Sequence, residues 1–328
     1  LPAVRLSVHG EYWPAITPFR ITGKTFDGFE SVVVELAQAG LLGRGEGLGV
    51  HYLGETVHQM LTQVSALAPA LEAGLSRSGL QTLLPPGGAR NALDAALWDL
   101  EAKSNGQRVW QLCGVEPRTL ETVFSIGIEA TPQAMADKAA AATTHGLLKI
   151  KLDSDAPVAR VQAIRAARPD ARLVVDANQG WTFAQLQAVA PALADLGVQM
   201  IEQPLPRGAD AALQGYRSPV PLYADESCQH LGELDLAAQR YQGINIKLDK
   251  TGGLTHALAL ARAARAHGLG LMAGSMCGSS LAMAPTFVVA CLCDLVDIDG
   301  PLLQACDRLP GLQYEGGFVA PFGPDVWG

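Results

Sequence analysis

Asp176, Glu202 and Asp225 stand 26 and 23 residues apart, each near the end of a short apolar run: "RLVVDAN" (172–178), "QMIEQP" (199–204) and "PLYADE" (221–226). Two more runs of that texture carry lysines, Lys149 and Lys151 in "LLKIKL" (147–152) and Lys247 and Lys250 in "INIKLDKTGG" (244–253). Three carboxylates brought together in a low-dielectric cavity would repel one another strongly. A divalent cation removes that repulsion, and an all-oxygen ligand set with room for water and substrate suits Mg²⁺. One such acid alone reads most simply as a helix cap or a lysine partner; three at one-repeat intervals favour a metal site. A partly buried lysine beside another positive charge has a depressed pKa and can act as a base near neutral pH. A metal-bound carboxylate can accept the charge left when its α-proton departs. Amines on opposite faces of that carbon would remove a proton from one side and return one to the other, inverting the stereocentre.

These residues need a frame that brings distant segments to one place. From about residue 119, eight β-rich runs alternate with Ala/Leu-rich helical stretches: 122–128, 147–152, 172–178, 199–204, 221–226, 243–249, 269–275 and 295–301. That alternation predicts βαβ units and a parallel sheet, and eight units predict a closed barrel. The active face of such a barrel lies at the C-terminal strand ends. There Lys151 on the second strand and Lys247 on the sixth would stand nearly opposite, with the acids of strands three to five between them. Strand residues two apart share a face, which pairs Lys149 with Lys151, Asp176 with Asn178, and Asp297 with Asp299. Alternation alone leaves the inward side open. Lysines at strand ends can also be idle and snorkel to solvent, but a barrel interior is a poor place for that.

The first third has another texture. Residues 3 to 50 read as extended segments broken by Gly and Pro, with a flexible loop expected over Ile16 to Gly28. Residues 54 to 115 read as helical; "RNALDAALWDLEAK" places apolar residues at 93, 96, 97 and 100, one helix face. The turn-rich tail after 302 is too short for a domain and is expected to pack on the first third.

The bulk composition excludes several classes. A net charge of −8 argues against nucleic acid or an anionic membrane as main partner. No apolar run reaches the ~18 residues of a membrane span, and the opening segment lacks the pattern of a secretory signal. Six cysteines without a C-x-x-C pair read as buried free thiols in a reducing cytosol, so a cytoplasmic protein is expected. A homo-oligomer is compatible with all of this.

The chain resembles the enolase superfamily, specifically its muconate-lactonizing-enzyme-like branch. "KIK" resembles the K-x-K of that family's second barrel strand, "DAN", "EQP" and "ADES" its metal-ligand strand ends, "IKLDKTGG" its lysine strand, and "ALDAALWDL" its capping-domain helix. The resemblance covers nearly the whole chain. It implies an α/β fold, a modified (β/α)8 TIM-type barrel with an α+β capping domain. The cap would be residues 1–118 completed by the tail 303–328, and the barrel 119–302. It implies one Mg²⁺ per subunit, held by Asp176, Glu202 and Asp225, and an enolate formed by abstraction of a proton α to a carboxylate. Lys151 and Lys247 would be the acid/base pair. Lys149 would support the carboxylate and lower the pKa of Lys151, with Asn178 and Glu226 just outside the ligands.

"DIDGP" at 297–301 is similar to the D-x-D of the dipeptide epimerases, among them the L-Ala-D/L-Glu epimerases. Asp297 and Asp299 could hold the free α-ammonium of a dipeptide by charge-assisted hydrogen bonds, and would repel a substrate that lacks it. A Glu side chain at the second residue would need a cation; "FRITGK" offers Arg20 and Lys24, and which one enters stays open. The seventh strand end, with Ser275 and Cys277, is small and uncharged and would also tolerate a hydrophobic side chain. His51 and Tyr52 belong either beside the substrate or on the surface. The leading expectation is a dipeptide epimerase for an L-Ala-D/L-Glu murein fragment. Its rivals are an epimerase of another, hydrophobic dipeptide, an N-acylamino-acid racemase or cycloisomerase on the same scaffold, and a non-catalytic binding relative.

Overall fold

The computed structural model describes residues 3–328. The first third forms an antiparallel sheet of β1 (Arg5–Ile21), β2 (Lys24–Gln38) and β3 (Leu41–Leu48). Alternation in the β-branched run of β2 sends its side chains into two cores. Val32, Val34 and Leu36 face a helical layer, while Phe29 and Val33 join the core shared with the barrel. The helix Gly88–Asn105 lies directly on β3, because every second β3 residue is glycine. A Cβ at Gly43, Gly45 or Gly47 would stand 2.4, 2.0 or 2.1 Å from a carbonyl oxygen of that helix.

The segment 16–28 is not the flexible loop expected from sequence. It is the tip of the β1–β2 hairpin, paired Phe19 to Phe26, Arg20 to Thr25 and Ile21 to Lys24, and it turns at Gly23 (φ +74°). Its polar residues and glycines suggested a loop, and Pro14 and Pro18 lie in or beside it. Because β1 is an edge strand, a missing N–H is tolerated there, and the pairing slips only once, between Pro14 and Phe19.

After β4 (Leu120–Glu121) comes the parallel sheet: β5 (Phe124–Ile126), β6 (Leu147–Lys151), β7 (Arg172–Asp176), β8 (Val198–Glu202), β9 (Leu222–Ala224), β10 (Gly243–Lys247), β11 (Gly270–Gly274) and β12 (Leu295–Val296). Each strand pairs with its sequence neighbours. Val123 N–H donates to Val296 O at 2.8 Å, bridging first strand to last and closing the ring. The structure is therefore the expected α/β barrel with an α+β cap.

Strand parity is also decided. Val123, Leu147, Val174, Met200 and Met272 form a small interior cluster at the barrel floor. Leu148, Ile150, Val175, Ile244 and Ile246 face the opposite way, into the main core. Two residues up the strands from the floor cluster, the same inward face carries Lys149, Asp176 and Glu202. One sequence parity thus supplies an apolar base below and charges above.

The tail returns to the first third, as expected. β13 (Tyr314–Glu315) and β14 (Phe318–Val319) form a hairpin, and β14 pairs with β4. Trp327 Nε1 donates to Arg44 O (3.0 Å) and Ala95 O (3.2 Å), and Arg108 donates to Phe322 O (2.6 Å) and Trp327 O (3.0 Å). The six thiols are unpaired; the expectation of burial holds for Cys228 and Cys293, whereas Cys306 is exposed. No helix among the described residues is long and apolar enough to cross a membrane.

Candidate active site

Asp176 ends β7, Glu202 ends β8, and Asp225 follows β9 by one residue. All three are fully buried, and each can offer a carboxylate oxygen within 4.8 Å of the others. Lysines surround them. Lys151 Nζ donates to Asp176 Oδ2 at 2.7 Å, and Lys247 Nζ to Asp225 Oδ2 at 2.7 Å. The two amines thus hold the outer members of one carboxylate group, arriving from β6 and β10 on either side of it. Lys149 Nζ lies 2.7 Å from Glu202 Oε2, 3.4 Å from Asp176 Oδ2 and 2.7 Å from Asp297 Oδ2. Its contact with Glu202 is an ion pair by distance but is not aligned as a hydrogen bond, so Glu202 Oε2 remains without one.

The electrostatics show how costly this arrangement is without added positive charge. Burial raises the Glu202 pKa and Asp176 raises it further. Glu226 is pushed well above the usual carboxylate range by burial and then by Asp225. Burial also opposes ionisation of Asp225, but Lys247 and Lys250 outweigh it and hold its pKa down. The donor chemistry fits a hard divalent cation: three anionic oxygens in close range, one of them lacking a hydrogen bond.

One expectation about the lysines needs correction. Burial pulls the Lys247 pKa down, yet Asp225 and Glu202 outweigh it, so the pKa is raised rather than depressed. Lys149 is raised well above its ordinary value for the same reason, through Asp297, Glu202 and Asp176 against burial. Its charge is committed to those three acids. Lys250, the other lysine of its segment, is bound to Asp225 Oδ1 (2.8 Å) and to the backbone oxygens of Asp225, Asn245 and Cys228. That is a structural anchor, whereas Lys247 borders open space.

The open space is a cavity of about 520 Å³ between the hairpin and the barrel mouth. Lys151, Lys247, Asn178, Asp225, Glu226, Ser275 and Cys277 wall it from the barrel, and Lys24, His51 and Tyr52 from the cap. Lys24, with its ammonium over the Phe26 ring (4.7 Å), borders the cavity; Arg20 instead pairs with Asp153 at 3.2 Å. Burial, then Lys24 and Lys247, lower the His51 pKa to about 4, so its ring is neutral at neutral pH. Tyr52 Oη accepts from Gln229 Nε2 at 2.9 Å.

Two residue pairs expected to share a strand face do not lie on strands, because the strands end sooner than expected. Asn178 lies beyond β7 at φ +43°, with its N–H donating to Asp176 Oδ1 at 2.8 Å. β12 stops at Val296, so Asp297 and Asp299 lie on the connection after it. Asp297 accepts from Lys149, while Asp299 Oδ2 accepts from Ser125 N–H at 2.7 Å. Burial, then Asp297, push the Asp299 pKa well up, and the two carboxyls share a hydrogen bond. Among the described residues, four of the six non-glycine residues at positive φ, Asn178, Gln179, Gln203 and Cys277, sit at the barrel's strand ends. Such backbone is concentrated where side chains must be aimed.

Sequence reasoning missed Glu46 and Glu55; it placed Asp249 on the sixth strand, but β10 ends at Lys247 and Asp249 lies in the helical turn Leu248–Thr251 that follows. Glu46, fully buried on β3, accepts from Ser279 N–H at 3.1 Å and pairs with Arg308 at 3.1 Å, fixing the loop that bears Cys277. The available signal was an acid in a strand otherwise packed with glycine.

Comparison with known proteins gives a consistent set. Residues 3–114 match the family described as the mandelate racemase / muconate lactonizing enzyme N-terminal domain, and residues 133–320 match the one described as enolase C-terminal domain-like. The chain is 44% identical to the L-Ala-D/L-Glu epimerase of Escherichia coli, over 95% of this chain and 98% of that one. It is 40% identical to the N-acetyl-D-glutamate racemase of a Pseudoalteromonas species, over 90% and 95%. Among solved structures, it is similar to an Agrobacterium tumefaciens enolase-family protein with homology to dipeptide epimerases, described with bound sodium and L-Ala-L-Glu. The TM-score is 0.96 and the identity 41%, covering 99% of this chain and all of that one.

Proposed function

Because the chain belongs to the enolase superfamily, in its mandelate racemase / muconate lactonizing enzyme branch, we propose that it is a Mg²⁺-dependent dipeptide epimerase acting at the α-carbon of the C-terminal residue. The observation that carries the reading is the pair of amines, Lys151 and Lys247, bound to the two outer members of one buried carboxylate group and facing one cavity. Asp176, Glu202 and Asp225 would hold the cation. When bound, Mg²⁺ supplies a positive centre that stabilises charge developing on a substrate carboxylate.

The residues of the chain then divide the work. In each direction one lysine enters neutral and takes the α-proton, while the other enters as ammonium and delivers one to the opposite face. For that to happen, Lys247 must give up the charge that Asp225 and Glu202 now favour. A cation among those acids takes up the same negative charge, which removes the cause of the raised pKa. Lys149 stays protonated and steadies Glu202 and Asp297. Asn178, whose N–H binds the Asp176 carboxylate, and Glu226, next to Asp225, stand just outside the ligands. Lys24, inside the cavity wall and with an ammonium to offer, answers a second-residue Glu, and the substrate is a dipeptide of the L-Ala-D/L-Glu kind, as found in murein fragments. Asp297 and Asp299 receive the substrate ammonium. The cap comprises residues 1–118 with 303–328 and the barrel 119–302. Unpaired thiols fit a reducing, cytoplasmic setting.

One observation favours a second reading, racemisation of an N-acylated glutamate. The acid pair is less negative than two bare carboxylates, since Lys149 pairs with Asp297 at 2.7 Å and burial, then Asp297, raise the Asp299 pKa and so favour its neutral form. An acyl group would therefore meet less repulsion than the sequence suggested. Incubation in D₂O with Mg²⁺, with L-Ala-L-Glu, a hydrophobic dipeptide and N-acetylglutamate in separate reactions, decides between them by mass. Deuterium at the second α-carbon of L-Ala-L-Glu is expected; uptake by N-acetylglutamate alone would replace the dipeptide reading.

A further inference from the structure

We infer that Glu55, outside the reacting centre, is a positioning residue that holds the cap-side wall of the substrate cavity. The inference rests on the epimerase reading only for what that cavity binds. Loop 49–54 carries His51 and Tyr52 and has open space on both sides. In front is the 520 Å³ cavity; behind is a second of about 570 Å³, walled by His58, Gln59, Thr62 and Gly87. Gly54 and Glu55 border both. Val50 is buried and the His51 ring meets Phe26 edge to face at 5.4 Å; the rest of the partition, open on either side, gains less from dispersion contacts and depends on polar bonds, among them the one Tyr52 Oη accepts from Gln229.

Glu55 supplies bonds at the entry of the loop and at its support. Its Oε2 accepts from Val50 N–H at 2.8 Å, and its Oε1 accepts from Gly88 N–H at 2.9 Å. One carboxylate thereby ties the entry of the loop to the first turn of the helix Gly88–Asn105, whose own N-cap, Gly87, has no side chain to offer. A negative group is favoured at that helix end. The surrounding chain is cut to admit it. A Cβ at Gly87 would stand 2.5 Å from Glu55 Oε1, and one at Gly49 would stand 2.5 Å from Glu55 O.

The arrangement needs two acceptors. Glu55→Gln keeps the shape but turns one acceptor into an NH₂ facing an N–H, so one of the two bonds is lost. His51 and Tyr52 then drift from the cavity wall, while the lysines on the barrel side keep their geometry. Gly87→Ala displaces the carboxylate without removing it.

The test uses the full chain with Mg²⁺: wild type, Glu55→Gln and Gly87→Ala, assayed for epimerisation of L-Ala-L-Glu and for backbone hydrogen–deuterium exchange. Both variants should raise KM about tenfold with kcat within about twofold, and should speed exchange over residues 49–55 while the barrel strands exchange as in wild type. Unchanged exchange over 49–55 overturns the inference whatever the substrate. So does an unchanged KM, or failure of both variants to fold, which would make Glu55 a stability element alone. A wild type that epimerises no dipeptide counts against the function proposed above, and exchange then judges Glu55 by itself.

Discussion

Replacing Asp249 by Asn should stabilise the protein at alkaline pH and do little at acidic pH. Asp249 is 4% exposed and lies between cap and barrel, where its Oδ1 accepts from Leu48 N–H at 2.9 Å and from Asn91 Nδ2 at 2.7 Å. Burial raises its pKa from 3.8 to about 7, against those two bonds. The folded state therefore grips the proton more tightly than the unfolded chain does. Below the unfolded pKa both states are protonated and nothing is lost. As pH climbs through the window from 3.8 to about 7, the unfolded chain ionises first and stability drains away; above the folded pKa the loss is complete. At 1.36 kcal/mol per pKa unit the full loss is about 4 kcal/mol, of which about 3 kcal/mol falls between about pH 4.5 and about pH 8. Asn cannot ionise, keeps an oxygen for Leu48 and Asn91, and can turn its NH₂ toward the cavity that Asp249 borders behind loop 49–54. Urea unfolding of wild type and Asp249→Asn at both pH values measures the difference. Parallel pH dependence in the two proteins would refute the argument, since every other titrating group is common to both.

Three further outcomes follow from the site. Lys247→Gln and Lys151→Gln should each cut epimerisation by at least 10²-fold, yet each should retain α-proton exchange with one epimer, and a different one; deuterium uptake measured on the separate epimers tests this, and equal exchange of both would remove the two-base assignment. Added Mg²⁺ should raise the melting temperature, with the gain growing as the logarithm of concentration and vanishing in Asp225→Asn; a gain that survives that substitution would place the ion elsewhere. Lys24→Leu should lower kcat/KM for L-Ala-L-Glu by more than tenfold, the loss of one charge-assisted bond, and spare a hydrophobic dipeptide, read by competition between the two.

The barrel was legible because its units repeat: each strand is a short apolar run followed by a helix, and the acids recur at that period. What the sequence left open was parity and endpoint. "INIKLDK" offers lysines at 247 and 250, and only the fold shows Lys250 spent on backbone carbonyls and Lys247 at the cavity. Asp297 and Asp299 read as strand neighbours because spacing cannot reveal that β12 ends at Val296. The hairpin tip was misread because a polar, glycine-bearing stretch reads as a loop unless its pairing partner is known. Arg20 and Lys24 could not be told apart, since the choice rests on Asp153, more than a hundred residues away. Glu46 stood out only as an acid among glycines, and Glu55 carried no signal of use, because a buried acid declares itself through partners that only folding brings near. The lysine pKa was misjudged for a related reason: local sequence shows the neighbouring ammonium but not the carboxylates that face it.

The bond from Trp327 to Arg44 spans 283 residues, and it has a consequence for biogenesis. The cap's sheet leaves the ribosome before the barrel, yet the segment that seals its helix layer emerges only after the whole barrel. At 5–20 residues per second the nascent cap waits roughly 15–60 s with that seam open. Translation speed through the barrel and the segment after it, and any holdase that shields the early sheet, should therefore govern the yield of native enzyme more than they would for a chain whose domains are completed in order.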